Sequence, residues 1–200
     1  MRVIAGSRRG YRLQGPAGPG TRPMADKIRG SLFSMLASLN VVPDRVLDLY
    51  AGTGGIGIEA LSRGAETADF VERNGAAAAV VRANLAHTGF TDVAKVHQTA
   101  VAAFLGRSLP PYDLVTMDPP YADPEIVPTL IRVGESGLVQ SASVVAIGHS
   151  PRVALPERAG RLVRLRERCH GDSCVSIYEV ADGDEAANRD GEVPAVSDER

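Results

Sequence analysis

The chain has 200 residues, 44% of them hydrophobic, and a formal net charge of −2, which suits one compact domain with a sizeable core. No apolar run approaches a membrane span, and no charged segment followed by an apolar core opens the chain, so a soluble cytoplasmic protein is expected. Cys169 and Cys174 are the only cysteines; even with His170 they are too few for a four-ligand zinc site, so no metal is expected and both are read as reduced structural thiols.

In chain order, Arg2–Ala5 and Gly10–Leu13 read as a short hairpin around Ser7-Arg8-Arg9-Gly10, followed by a loop from Gly15 to Gly20. Pro23 suits the first turn of a helix whose apolar stripe is Ile28, Leu32, Met35, Leu36 and Leu39. From Arg45 the pattern alternates. Strands are predicted near 45–50, 67–72, 93–97, 112–117 and 143–148, with helices near 55–63, 74–87, 99–106 and 123–134. Such alternation implies a mostly parallel sheet covered on both faces. Strands near 162–168 and 174–180 are expected to form an antiparallel edge.

Charge is unevenly placed. Residues 1–30 hold seven bases against Asp26, and residues 181–200 hold seven acids against Arg189 and Arg200. The organisation expected is a basic hairpin arm at 1–22, a catalytic domain at 23–180 and a disordered acidic tail at 181–200. A basic arm beside a catalytic domain points to nucleic acid, with Arg8, Arg9, Arg22, Lys27 and Arg29 as candidate RNA-binding residues. A charge run alone is more often a solvated face.

Two strand exits carry the chemistry. After the strand at 45–50 comes Ala51-Gly52-Thr53-Gly54-Gly55-Ile56-Gly57. Gly52, Gly54 and Gly57 also satisfy the dinucleotide-binding spacing, and Glu72 follows Gly52 by the distance expected of a ribose-binding acid. Asp48, just ahead of the glycines, disfavours a pyrophosphate and suits the cationic methionine moiety of S-adenosylmethionine. Glu72 can then accept from both ribose hydroxyls.

The second exit is Asp118-Pro119-Pro120-Tyr121. An exocyclic amine of a nucleobase is a weak nucleophile because its lone pair is delocalised into the ring. Two acceptors aimed at its N–H groups favour a tetrahedral nitrogen and stabilise the charge developing on it. The Asp118 carboxylate and the Pro119 carbonyl can be those acceptors. Pro120 helps hold that carbonyl out of a ladder, and Tyr121 offers a face on which a base can stack. A strand ending in a proline-rich turn would have the same sequence; the Gly-rich loop upstream favours methyl transfer.

Thr21-Arg22-Pro23, Asp26-Lys27-Ile28-Arg29, Ser31-Leu32-Phe33, Val46-Leu47-Asp48-Leu49-Tyr50-Ala51-Gly52-Thr53-Gly54, Gly57-Ile58-Glu59-Ala60-Leu61-Ser62-Arg63-Gly64-Ala65 and Met117-Asp118-Pro119-Pro120-Tyr121 form a series. It resembles the bacterial RsmD family, methyltransferases acting on N2 of guanine 966 in 16S ribosomal RNA. The resemblance runs from residue 2 to about 180 and takes in Gly171-Asp172 and Val175-Ser176-Ile177-Tyr178. It implies a class I Rossmann-like α/β fold with a small N-terminal hairpin and helix. It also implies S-adenosylmethionine as cofactor and 16S ribosomal RNA, in the small subunit or its precursor, as partner.

The candidate cofactor-binding set is Asp48, Tyr50, Ala51, Gly52, Thr53, Gly54, Glu72, Arg73, Asn74, Ala100 and Val101. The candidate catalytic set is Asp118, Pro119, Pro120 and Tyr121. Met24, Gly30, Ala100 and Gly148 depart from the family pattern, which uses threonine, glutamate, a side-chain acceptor and often glutamate at those positions. Adenine recognition near Ala100 is therefore expected to rest on backbone or apolar contacts. Adenine-N6 methylation and a non-catalytic RNA-binding module remain as alternatives.

Overall fold

The computed structural model describes residues 1–15, 26–120 and 123–181. A helix α1 (Asp26–Ser38) precedes the alternating part: β1 (Arg45–Leu49), α2 (Gly55–Ser62), β2 (Thr67–Val71), α3 (Gly75–Thr88), β3 (Ala94–His97), α4 (Val101–Phe104), β4 (Leu114–Met117), α5 (Ile126–Glu135) and β5 (Val144–His149). Three antiparallel strands close the chain: β6 (Arg158–Ala159), β7 (Leu162–His170) and β8 (Ser173–Val180). They join in one sheet of order β3-β2-β1-β4-β5-β8-β7-β6. The first five strands are mutually parallel, and β8 runs antiparallel to β5.

Central parallel strands must be apolar on both sides because helices cover both faces. Val46, Leu47, Leu49, Leu114, Val115, Val145 and Ile147 are accordingly buried. One face packs residues of α1, α2 and α3, among them Ile28, Leu32, Ile56 and Val81. The other packs Val101 and Phe104 of α4 with Ile126 and Leu130 of α5. Helix α2 lies unusually close to β2. A Cβ on Gly57 would fall 2.4 Å from the Phe70 ring, so glycine here sets the approach of the Gly-rich segment to the sheet.

Three predicted elements are trimmed, each for a local reason. Tyr112 leaves the β4 ladder; its N–H donates to the Leu138 carbonyl at 2.8 Å and its buried ring sends the hydroxyl to Asp69 at 2.9 Å. Helix α5 starts only at Ile126, because Asp123 closes a turn first: its N–H donates to the Pro120 carbonyl and its carboxylate accepts from Glu125 N–H. Helix α4 is a single turn without a side-chain cap at Ala100.

The cysteines correct the expectation of free thiols. Cys169 and Cys174 stand opposite each other across the β7–β8 turn, Cα atoms 4.0 Å apart, and form a disulfide. Two cysteines flanking Gly171-Asp172 at the ends of a tight hairpin are brought together by the register itself. Among the described residues no helix is long and apolar enough to cross a membrane, and no cluster of metal-ligating side chains occurs.

Candidate functional site

Parallel pairing brings the carboxyl ends of β2, β1 and β4 side by side: Leu49 pairs with both Val71 and Met117. Glu72, Tyr50 and Asp118 are the next residues out, so the Gly-rich loop and the Asp-Pro-Pro turn open on one rim.

Asp48 lies beneath that rim, only 1% exposed. One carboxylate oxygen accepts from Gly57 N–H at 3.0 Å and the other from the Thr116 hydroxyl at 2.9 Å. Each oxygen accepts one donor from the protein and the group is shut off from solvent, so Asp48 supports the loop from below. Burial raises its pKa to about 7, against the opposing pull of these two hydrogen bonds, and the charges of Asp118 and Glu72 push the same way as burial.

Glu72 is placed differently. Its partly exposed carboxylate accepts from Gly52 N–H at 3.0 Å and from Asn74 N–H at 2.7 Å, one bond per oxygen. Each oxygen keeps acceptor capacity for a further donor. Asn74 caps α3, accepting from Ala77 N–H at 3.0 Å. At Gly52, with φ +57°, a Cβ would meet, among the described residues, just the Tyr50 carbonyl at 3.8 Å, which leaves room for a ligand over the turn.

Tyr50 adopts φ +58°, a conformation an aromatic residue rarely takes. Its half-buried ring carries the hydroxyl to Thr129 on α5, near Asp123, Arg73 and Arg132, and burial raises its pKa. The residue therefore ties the Gly-rich loop to the helix that follows the Asp-Pro-Pro turn. Ala51 and Thr53 are buried in the loop, Val101 is buried at the start of α4, and Arg73 is exposed. Asp118 is partly exposed, Pro119 buried and Pro120 exposed. Tyr121 lies outside the described residues, as do Arg22, Met24 and the tail from 182.

The arm corrects two of the RNA-binding expectations. Arg29 is 0% exposed. It pairs with Asp26 at 3.1 Å, lies 3.9 Å from Glu59 and donates to the Arg2 carbonyl and the Met1 sulfur. A guanidinium enclosed in this way cannot also meet a phosphate. Burial lowers its pKa, and Asp26 and Glu59 oppose that shift. Arg8 is committed as well: its Nε donates to the Thr88 carbonyl at 2.6 Å, closing the end of α3, and its guanidinium lies over Phe90. Arg9 and Lys27 are exposed.

Sequence reasoning missed two residues that, with Ser62, dock this arm. Glu59, 0% exposed, accepts from Ile4 N–H, Ala5 N–H and Arg63 Nε. Asn84 exchanges hydrogen bonds with Gln14 and donates to the Thr53 carbonyl at 2.9 Å, so one buried amide joins the arm to the Gly-rich loop. Their signal was polarity on otherwise apolar helix faces. A third buried group, His149 at the end of β5, bonds Ser176 and the Ser150 carbonyl, and burial lowers its pKa.

A family profile described as "Conserved hypothetical protein 95" matches residues 1–179. The "Ribosomal RNA small subunit methyltransferase D" of Escherichia coli is 30% identical over 179 residues, covering 90% of this chain and 89% of its own. The chain belongs to the RsmD family. The Bacillus subtilis relative named "Putative rRNA methyltransferase YlbH" is 36% identical over 181 residues, covering 89% of this chain and 98% of its own. Among solved structures, the "Putative methyltransferase yhhF" of E. coli superposes with a TM-score of 0.78 at 29% identity, covering 90% of this chain and 97% of that one. The RsmD assignment and these neighbours give the sheet its name, a Rossmann-like methyltransferase fold, mostly parallel with antiparallel edge strands.

Proposed function

We propose that this chain transfers a methyl group from S-adenosylmethionine to the exocyclic N2 of a guanine in small-subunit ribosomal RNA. One observation carries the reading: β1 and β4 pair directly, so the loop proposed for the cofactor and the Asp118–Pro119 acceptors share one rim. The names of the relatives support ribosomal RNA as substrate.

The donor set suits S-adenosylmethionine better than a dinucleotide. Glu72 and Asp118 make the rim anionic, and each raises the pKa of Asp48 beneath it. Such a site favours a cationic ligand and repels pyrophosphate. Glu72 would accept from ribose hydroxyls, with Gly52, Thr53 and Gly54 passing beneath. Ala100 and Val101 would offer backbone and apolar contact to adenine. When bound, the cofactor supplies a methyl group on a sulfonium centre.

The protein's part is orientation and charge. Asp118 and the Pro119 carbonyl accept the two N–H bonds of the target amine, turning its lone pair toward the methyl carbon. As that nitrogen becomes positive, the Asp118 carboxylate stabilises it, and one N–H proton then passes to water, leaving the neutral methylated amine. Tyr121 is assigned to stacking on the swung-out base, and Arg9, Arg22 and Lys27 to phosphates.

Incubation with tritiated S-adenosylmethionine and small ribosomal subunits or their ribosomal RNA, followed by nucleoside analysis, tests the reading. Label in N2-methylguanosine is expected. Label in N6-methyladenosine, or none in RNA, would overturn it.

A further inference from the structure

Strand β7 carries two kinds of arginine. Arg164 is neutralised by Glu157 and by Glu167, the latter at 3.2 Å. Past a register shift between residues 164 and 166, Arg166 and Arg168 are exposed and form no ion pair among the described residues. Arg166, Arg168 and His170 alternate along the strand and so share one face. Arg166 donates to the Ser38 hydroxyl at 3.0 Å and His170 bonds Ser31 at 2.9 Å, which places that face along α1. The cross-strand partners of the two arginines, Ile177 and Val175, are buried and uncharged.

The N-terminal end of α1 borders a second basic feature. A groove of about 390 Å³ is lined by Arg2, Arg9 and Lys27. Its one acid among the described residues, Asp26, is already held by Arg29 at 3.1 Å. Cations thus flank α1 from the hairpin and from β7, with little to neutralise them among the described residues.

We propose that the Arg166–Arg168 ladder and the Arg2–Arg9–Lys27 groove form one track for the phosphate backbone of a single-stranded segment of the substrate RNA. The inference rests on the proposed function, which places RNA on this protein, and assigns the segment lying beyond the target base. Residues sharing a strand face stand ~6.6 Å apart, on the order of one nucleotide step. Exposed guanidinium groups at this spacing, that of Arg166 held by Ser38, suit repeated phosphates. A lipid surface fits less well, because the exposed large hydrophobic residues Tyr11, Val42, Val93 and Leu165 sit on four separate segments.

Poly(U) serves as the probe, since it has a backbone but no guanine. Its affinity is measured against salt for the wild type, the double variant Arg166→Ser/Arg168→Ser and the double variant Arg166→Lys/Arg168→Lys. Loss of two contacts should lower the log–log slope by about 1.4, equivalent to roughly 25-fold weaker binding at ~0.1 M salt if the lines meet near ~1 M. Restoration of the slope by lysine is expected, with melting temperature and S-adenosylmethionine affinity unchanged throughout. An unchanged slope in the serine variant overturns the track, as does a slope that lysine fails to restore. Tighter wild-type binding to anionic phospholipid vesicles than to poly(U) also overturns it. If the slopes behave as stated but small-subunit RNA is never methylated, the track stands and the proposed function falls.

Discussion

The buried charges where the arm meets α1 and α2 and the charges on the rim are built from the same residue types, with different balances. At the junction, Glu59 accepts three hydrogen bonds and faces two guanidinium groups, and Arg29 has four partners within reach. On the rim, each Glu72 oxygen accepts a single loop N–H, and the charges of Glu72 and Asp118 both act on the buried Asp48. A closed network, one whose acceptors are filled, fixes structure, even with the Arg29 Nε left without a hydrogen bond among the described residues; a network with acceptor capacity left over has something to offer a ligand. Asp48 belongs by position to the rim and by burial to the closed kind.

The largest effect should come from opening the closed network. Arg29→Ala leaves a cavity where a fully buried side chain joined α1 to the arm, with Glu59 still paired to Arg63, and should cost about 2–5 kcal/mol of stability by denaturant unfolding. Its poly(U) salt slope should stay unchanged; a reduced slope in a folded Arg29→Ala variant would return this residue to the RNA surface. On the rim, Asp118→Ala should lower kcat by roughly 10²–10³, by analogy with loss of one transition-state stabilising group, while cofactor affinity holds. Asp118→Asn, which keeps an acceptor oxygen, should be milder. Near-normal turnover in the alanine variant would remove Asp118 from the chemistry.

Glu72→Ala should weaken S-adenosylmethionine binding by about 1.5–3 kcal/mol, read by calorimetry, with the melting temperature little changed. Unchanged affinity would mean that the spare capacity of Glu72 is not used by this ligand. Asp48 is distinguished by an effect read in pH instead. Its carboxyl titrates near 7 when folded, against an ordinary 3.8. Between those values the native state holds a proton that the unfolded state has lost, so its contribution makes stability fall as pH rises from about 4 to 7 and then level off. Asp48→Asn should flatten that part of the profile. An identical pH dependence in both proteins would show that Asp48 is ionised in its burial.

Regular alternation made the sheet legible: Val46-Leu47 and Leu114-Val115 are apolar at every step, as strands covered on both faces require. The rim was legible because its residues follow directly from strand ends, so Asp118 and Glu72 could be placed by counting. Charge, in contrast, carries no address in a sequence. Arg29 and Arg9 look alike in a basic segment, and only the arrival of Glu59 from α2 separates them. Asp48 shows the same limit, since its position was readable but its inward aim toward Gly57 and Thr116 was not. The disulfide needed the register of β7 on β8, which composition does not encode.

Asn84 gives the arm a place in the order of folding. The arm's anchors are distant in the chain: Ile4 to Glu59 spans 55 residues, Gln14 to Asn84 spans 70 and Arg8 to Thr88 spans 80. During synthesis, the first residues to emerge must wait until α3 has been made before they can dock. Closing loops of this length costs entropy that local helix formation does not. The arm should therefore settle late, onto a sheet already formed. Because the amide that receives Gln14 also holds the Thr53 carbonyl, that late step would complete the support of the Gly-rich loop as well.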